Sequence, residues 1–374
     1  MRAWICLGAC LALGCSGSDG GGGATGGAAG GGGFGAFGAF GGTAGAAGGA
    51  GVGATGGIGA AAGAGGGSGG TVNPSPLVDP NCTDGKYSEV LPNLSADING
   101  VAFNPGSLND YYLGVLGLRY PIGKDLVEGG LKSSLISGGC VNAFAGGPTT
   151  TDAAIKRMGT VVHECGHIYD LDLGKSPNSV YVIRSDVQFT CTKGNATGLG
   201  GDTFARSLLN TDAYSALRPP CAGTSGAGCD TYAKIYLNGD PNNGSFESGD
   251  QGYSLLLEET VQYVNSLASG YAFSDKLKAG TKISEKDGIL TFLWYTERYL
   301  KLAREKYPTA YARISGDACW RDATLTTWGR AWLYLEQTKN IPGLGINDQV
   351  LEALVLDPDL LDEIDRLRQL SGCP

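Results

Sequence analysis

The sequence predicts an α+β domain in which a mixed α/β lobe precedes a mainly helical lobe. Two observations support this class. Between residues 74 and 142, short apolar runs alternate with Pro, Gly and Asn, and the later run 180–183 has the apolar, β-branched composition of a strand. Beyond residue 250, apolar side chains recur at helical spacing in long segments. We expect the boundary between the lobes near residues 171–190.

The helical segments follow from apolar residues that recur every three or four positions. In the first of them the stripe is Ile155, Met158, Val162, Cys165 and Tyr169, and Thr151 or Asp152 can cap its start. Cys165 belongs to this stripe, which predicts a small buried hydrophobic residue. Residues 192–250 are rich in Gly, Asn, Ser and Asp, which predicts long loops. The predicted helices are 151–171, 254–268, 287–306, 323–338 and 357–369.

A glycine-rich tract separates the N-terminus from the part that can fold. Of the 65 glycines among 374 residues, 31 lie in the first 70, and no charged residue occurs between Asp19 and Asp79. Such a composition cannot bury enough apolar surface to offset the entropy of the chain. We therefore expect residues 15–72 to be a disordered linker and residues 73–374 to form the domain.

The N-terminus is typical of an export signal. Arg2 precedes an apolar run over residues 3–14, which is shorter than the roughly 20 residues of a membrane-spanning helix. The run ends in Leu-Ala-Leu-Gly-Cys-Ser, residues 11–16, which resembles a bacterial lipobox. This resemblance implies cleavage after residue 14, a lipid on Cys15 and a lipid-anchored protein of the cell envelope, at the outer membrane or cell surface. The alternatives are a lipobox ending at Cys10 and an ordinary cleaved signal peptide.

Charge and cysteine content restrict the partners and the compartment. The 36 acidic and 27 basic residues give a net charge of −9, which disfavours nucleic acid and an anionic membrane surface as partners. Membrane contact is then expected through the lipid anchor only. Eight cysteines follow the N-terminal region, and an even number in an exported chain predicts disulfides. Cys221 and Cys229, which flank a short flexible loop, are the one pair that we predict.

The sequence contains only two histidines, and they lie four residues apart in His163-Glu164-Cys165-Gly166-His167. Residues at this spacing share one face of a helix, so that two imidazole nitrogens can bind one metal ion. Glu164 follows the first histidine and can reach a water molecule at the metal without being a ligand itself. The pattern predicts one Zn²⁺ per chain, with Glu164 as general base.

These five residues resemble the His-Glu-x-x-His motif of zincin metallopeptidases, and the likeness extends to Asp170. The resemblance implies a zincin-like α/β lobe that carries the motif helix and a zinc-dependent peptidase that acts on a peptide or protein substrate. The longer metzincin pattern is not met, because Asp170 occupies the position of its glycine and Leu173 that of its third ligand. Since the chain has no third histidine, the third protein ligand is expected to be a carboxylate or a cysteine.

Glu258 and Glu259 are the candidates for this ligand, because gluzincins supply a glutamate from a later helix. The stripe Leu257, Val261, Val264 and Ala268 places Glu258 nearer the buried face, so Glu258 is favoured and Glu259 is the alternative. Asp172 is a weaker rival.

Other groups near the motif have open roles. Asp170 either accepts a hydrogen bond from a ligand imidazole or is an ordinary helix residue. The donors that could stabilise an oxyanion are Tyr253, Tyr263, Tyr271 and Tyr295, and the sequence selects none of them.

The expected function is that of an exported, lipid-anchored zinc metallopeptidase. One alternative is a non-catalytic surface lipoprotein, for binding or adhesion, that keeps a structural or vestigial zinc. Another is a disulfide-bonded binding domain in which the motif is coincidental. A general base beside the first histidine and only three obvious ligands favour catalysis, since structural zinc sites are usually closed by four protein ligands.

Overall fold

The computed structural model describes residues 77–175, 178–192, 203–217, 232–237, 239 and 252–373. Within these ranges the chain forms thirteen α-helices and one two-stranded sheet. The predicted signal peptide, the linker with Cys15 and the Cys221–Cys229 pair all lie outside the described residues.

Six helices precede the sheet and seven follow it. The first six are α1 (Thr83–Lys86), α2 (Leu108–Arg119), α3 (Pro121–Lys132), α4 (Cys140–Phe144), α5 (Thr151–Lys156) and α6 (Met158–Leu173). The sheet consists of β1 (Asn178–Arg184) and β2 (Val187–Thr192). The later helices are α7 (Ala233–Tyr236), α8 (Tyr253–Ala272), α9 (Glu285–Lys306), α10 (Pro308–Gly316), α11 (Ala318–Thr338), α12 (Asp348–Val355) and α13 (Pro358–Leu370). Short 3₁₀ turns span Arg206–Thr211, Ala213–Leu217, Ser274–Lys276 and Pro342–Leu344.

The four helices predicted beyond residue 250 are confirmed as α8, α9, α11 and α13. Side-chain caps mark the starts of two of them, α11 and α13. The Asp317 carboxylate accepts a hydrogen bond of 2.9 Å from the Cys319 N–H at the start of α11. Asp357 does the same for the N–H of Asp359 in α13, where Pro358 stands at the first helical position and needs no partner for its nitrogen.

The segment predicted as one helix over 151–171 forms two helices, α5 and α6, that meet at Arg157. The cap of α5 is Thr150 rather than Thr151 or Asp152, since the Ala153 N–H donates to its hydroxyl at 3.2 Å. A cap must adopt a non-helical backbone conformation, and Thr150 is the last residue that does so.

The sheet is an antiparallel hairpin that follows the motif helix. Val180 pairs with Thr190 and Tyr181 with Phe189, so the predicted strand at 180–183 is confirmed. The five inner residues of β1 are buried, and β1 packs on α6 and α8. In contrast, the expected mixed character of region 74–142 is wrong, because it forms helices among the described residues. Tyr111, Tyr112 and Val115 lie on the buried face of one helix, α2.

Helix α8 lies at the centre of the fold. It packs on α6, α9 and α11, and nearly all of its residues are buried. Trp294 of α9 and Trp328 and Trp332 of α11 are buried in the same hydrophobic core, which also includes residues of α2, α3 and α6. The two predicted lobes therefore share one core. The described part of the chain is α+β, mainly helical with one small sheet.

Three disulfides connect distant parts of the described chain: Cys82–Cys373, Cys140–Cys165 and Cys191–Cys319. Cys165 is buried as predicted, but it is also bonded to Cys140, which ties the motif helix α6 to α4. Among the described helices, none combines the length and the apolar character that crossing a bilayer requires.

Candidate metal centre

The motif helix α6 is enclosed on both faces. The apolar stripe of α6 packs into the core as expected, with Tyr169 only partly buried. The face with the two histidines is also covered, because α8 packs along it, and His163 and His167 are each 2 % exposed. Helix α8 therefore separates the histidine face of α6 from solvent within the described part of the chain.

Three atoms that can bind a metal converge between α6 and α8. The Nε2 atoms of His163 and His167 lie 2.9 Å apart. Oε2 of Glu259 lies 3.6 Å from the first of these nitrogens and 3.4 Å from the second. Within the described ranges these residues form a group of potential metal ligands, and all three are buried.

The two imidazoles are held through their other nitrogens. Nδ1 of His163 lies 3.0 Å from the hydroxyl of Ser266, which can accept a hydrogen bond from the Nδ1–H group. Nδ1 of His167 is in ion-pair contact with Oε2 of Glu258. With a proton on each Nδ1, both Nε2 atoms present lone pairs to the same point.

The geometry therefore favours Glu259 over Glu258 as the third ligand, which reverses the order that the sequence suggested. Glu258 instead contacts Nδ1 of His167, the ring nitrogen that does not face His163 and Glu259. The apolar stripe could not distinguish the two residues, because α8 is buried around nearly its whole circumference and the metal-facing side carries polar residues. Asp172, the weaker rival, is partly exposed and is not a member of the converging group.

A divalent cation fits this arrangement. Oε2 of Glu259 is buried and has no hydrogen-bond partner among the described residues. Ligands at zinc distances in tetrahedral geometry lie about 3.4 Å from one another, close to the separations of 2.9, 3.4 and 3.6 Å here. The two carboxylates favour positive charge here: burial alone lowers the pKa of His167, but Glu258 and Glu259 outweigh this and raise it well above its usual value.

Glu164 is buried beside the two histidines. Burial raises the pKa of its carboxyl group, and the neighbouring His163 and His167 oppose that rise only in part. A carboxylate with a raised pKa is a better proton acceptor near neutral pH than an ordinary one. This environment suits the role of general base that the motif predicts.

Asp170 has neither of the two roles considered for it. Its Oδ1 accepts the N–H of Val182 in β1 at 3.0 Å, and its Oδ2 accepts the side-chain amide of Gln262 in α8 at 3.0 Å. Burial and the nearby Glu258 raise its pKa well above the usual value. Asp170 therefore connects α6 to the hairpin and to α8, and it does not bind an imidazole.

Among the candidate oxyanion donors, Tyr263 contacts a histidine ring. Its ring meets that of His163 edge to face, with centroids 4.7 Å apart, and its hydroxyl lies 3.2 Å from that of Tyr236. Tyr253 instead bonds Thr324 at 2.9 Å.

Gln262 and Ser266 were not identified from the sequence as residues of the site. A signal was present, since Glu258, Gln262 and Ser266 are spaced four residues apart and share one face of α8.

The chain matches no protein-family model, and comparison with curated proteins and with solved structures finds no significant similarity.

Proposed function

We propose that this chain is an exported, lipid-anchored zinc metallopeptidase that cleaves peptide bonds. The observation that supports the proposal most is the convergence of His163, His167 and Glu259, with the Glu164 carboxylate buried beside them. In this reading α6 corresponds to the motif helix of gluzincins and α8 to the helix that supplies their glutamate ligand. The three disulfides agree with an oxidising compartment outside the cytoplasm.

His163, His167 and Glu259 would hold the zinc. When bound, zinc would polarise the scissile carbonyl and make a water molecule more acidic. Glu164 would accept the proton of that water through its carboxylate and deliver it to the leaving amine. Glu258 and Ser266, which contact the Nδ1 atoms of the histidines, would keep both rings in the orientation and tautomer that metal binding needs.

One observation favours a second candidate, a non-catalytic lipoprotein with a structural zinc. All three ligands are buried, as they are in a structural site. A structural site usually has four protein ligands, however, and the described residues bring three together. Glu164 also has no role in a purely structural site, which makes it the residue that distinguishes the two functions.

The test combines metal analysis with a digest of a peptide library. The purified protein should contain one zinc per chain and should cleave peptides until a chelator removes the metal. Glu164→Gln keeps the size of the side chain and both imidazoles, so its zinc content should stay near one while activity falls by about 10²–10⁴-fold. Glu352→Gln, which changes an exposed glutamate on α12, is the matched control and should behave like the native protein.

Two results would count against the proposal. Zinc-loaded native protein that cleaves no peptide, with Glu164→Gln equally loaded, would favour the structural zinc. Native protein that binds no zinc would mean that the motif is coincidental.

A further inference from the structure

The face of α8 that contacts the motif helix carries three buried polar side chains at successive turns. Glu258 and Ser266, the outer two, contact the Nδ1 atoms of His167 and His163. Gln262 lies between them, is fully buried and is bonded to neither histidine.

The amide of Gln262 links two carboxylates. Its Nε2 atom lies 3.0 Å from Oδ2 of Asp170 and 3.4 Å from Oε1 of Glu258. Two buried carboxylates disfavour each other's charge, and Glu258 is one cause of the raised pKa of Asp170. The two N–H groups of one amide can donate a hydrogen bond to each of the two carboxylates. This holds Glu258 in place beside His167.

The amide is itself held from two sides. On the α6 side, a Cβ atom at Gly166 would lie only 2.0 Å from Oε1 of Gln262, so the amide occupies the space that the motif's glycine leaves open. On the other side, Oε1 accepts the side-chain amide of Asn265 at 2.8 Å. Oδ1 of Asn265 in turn accepts the fully buried guanidinium of Arg330 at 2.6 Å, and Glu89 pairs with that guanidinium at 2.8 Å.

We infer that Gln262 is a positioning residue for the metal centre. Its amide keeps Glu258 against Nδ1 of His167 and so directs Nε2 of that ring toward His163 and Glu259. The inference rests on the proposed function, since it concerns the affinity and geometry of the zinc that the function requires. A purely structural role would also connect α6, α8 and the hairpin, but it would not change the metal's ligand geometry in a folded variant.

The test uses Gln262→Met, which keeps the approximate volume and removes both N–H donors. Ser269→Ala is the matched control, because Ser269 is also buried on α8 but, among the described residues, its hydroxyl bonds only the carbonyl of Asn265 in its own helix. Zinc affinity is measured by competition with a chromophoric chelator, and ligand geometry by the visible absorption of the cobalt-substituted protein. Loss of a group that supports a metal ligand typically weakens metal binding by about 10–100-fold.

We expect Gln262→Met to lose about 10–100-fold in zinc affinity and to change the cobalt spectrum, while Ser269→Ala retains both properties of the native protein. If Gln262→Met does not fold, Gln262→Asn replaces it, because its amide stays polar but is one methylene shorter and is withdrawn from both carboxylates. A folded variant with native affinity and spectrum would overturn the inference and leave the proposed function intact. Native protein that binds neither zinc nor cobalt would overturn both.

Discussion

Alanine at Gly166 tests the close contact between the motif helix and α8. Gly166 lies between Glu164 and His167 in α6, and both of its neighbours, Cys165 and His167, are buried. A Cβ atom built at Gly166 would meet Oε1 of Gln262 at 2.0 Å and its Cδ at 2.7 Å, which is far inside van der Waals contact. The amide cannot move aside freely, because it bonds Asp170 and Asn265.

Two effects of opposite sign decide the stability of Gly166→Ala. In a helix interior alanine is favoured over glycine by roughly 1 kcal/mol. Inserting an atom into a packed core costs about 1–3 kcal/mol. Because the overlap here falls on a hydrogen-bonded amide, we expect the second effect to dominate and the variant to be less stable than the native protein.

A double-mutant cycle separates the two effects. In a Gln262→Ala background the side chain that the new Cβ meets is gone, so Gly166→Ala should become neutral or stabilise by up to about 1 kcal/mol. The coupling energy between the two sites should then be about 1–3 kcal/mol. The assay is denaturant unfolding of the metal-free protein with its disulfides intact, with the midpoint and slope recorded for all four proteins.

Equal effects of Gly166→Ala in both backgrounds would mean that Gln262 does not fill the space above the glycine. A stabilising Gly166→Ala in the native background would mean that α6 and α8 lie farther apart than described.

Three further predictions concern other groups. During dialysis against a chelator, Glu259→Ala should lose zinc, whereas Glu258→Ala should bind zinc more weakly than the native protein but more tightly than Glu259→Ala; the reverse order would return the ligand role to Glu258. Glu285 has a buried Oε2 atom without a hydrogen-bond partner among the described residues, and burial raises the pKa of its carboxyl group from 4.5 to about 8. Because the folded protein favours the neutral acid, the contribution of Glu285 to the free energy of unfolding is complete below pH about 4.5. It is lost as the pH rises to about 8, so that the free energy of unfolding falls by up to about 5 kcal/mol. Glu285→Gln should flatten the dependence of the unfolding free energy on pH over that window, and an unchanged slope would contradict the assignment. Cys15→Ser should move the protein from the membrane fraction to the soluble fraction, and its retention in membranes would contradict the lipid anchor.

Much of the helical architecture could be predicted because it depends on local periodicity. The segments that became α8, α9, α11 and α13 carry long apolar repeats, and α11 and α13 also have capping residues, Asp317 and Asp357. The helices of region 74–142 were harder to predict, because Pro, Gly and Asn interrupt the apolar runs there. One of these apolar runs belongs to α2, in which Tyr111, Tyr112 and Val115 are all buried on one face.

The sequence by itself determined that two histidines share a helix face with a glutamate beside them, since spacings of one and four residues are properties of a single helix. It also placed a glutamate pair on a second helix. Only the tertiary structure distinguished Glu259 from Glu258. Adjacent helix residues point about 100° apart, and α8 is buried nearly all round, so the choice depends on how α8 is rotated against α6.

The same reason applies to the groups around the candidate metal centre. The bond between Cys165 and Cys140 requires α4 to lie beside α6. The amide of Gln262 reaches Asp170 of α6 because Gly166 lets α6 and α8 approach closely. Contacts between elements 92 or 103 residues apart, such as Gln262 with Asp170 and Ser266 with His163, depend on packing that no local pattern encodes.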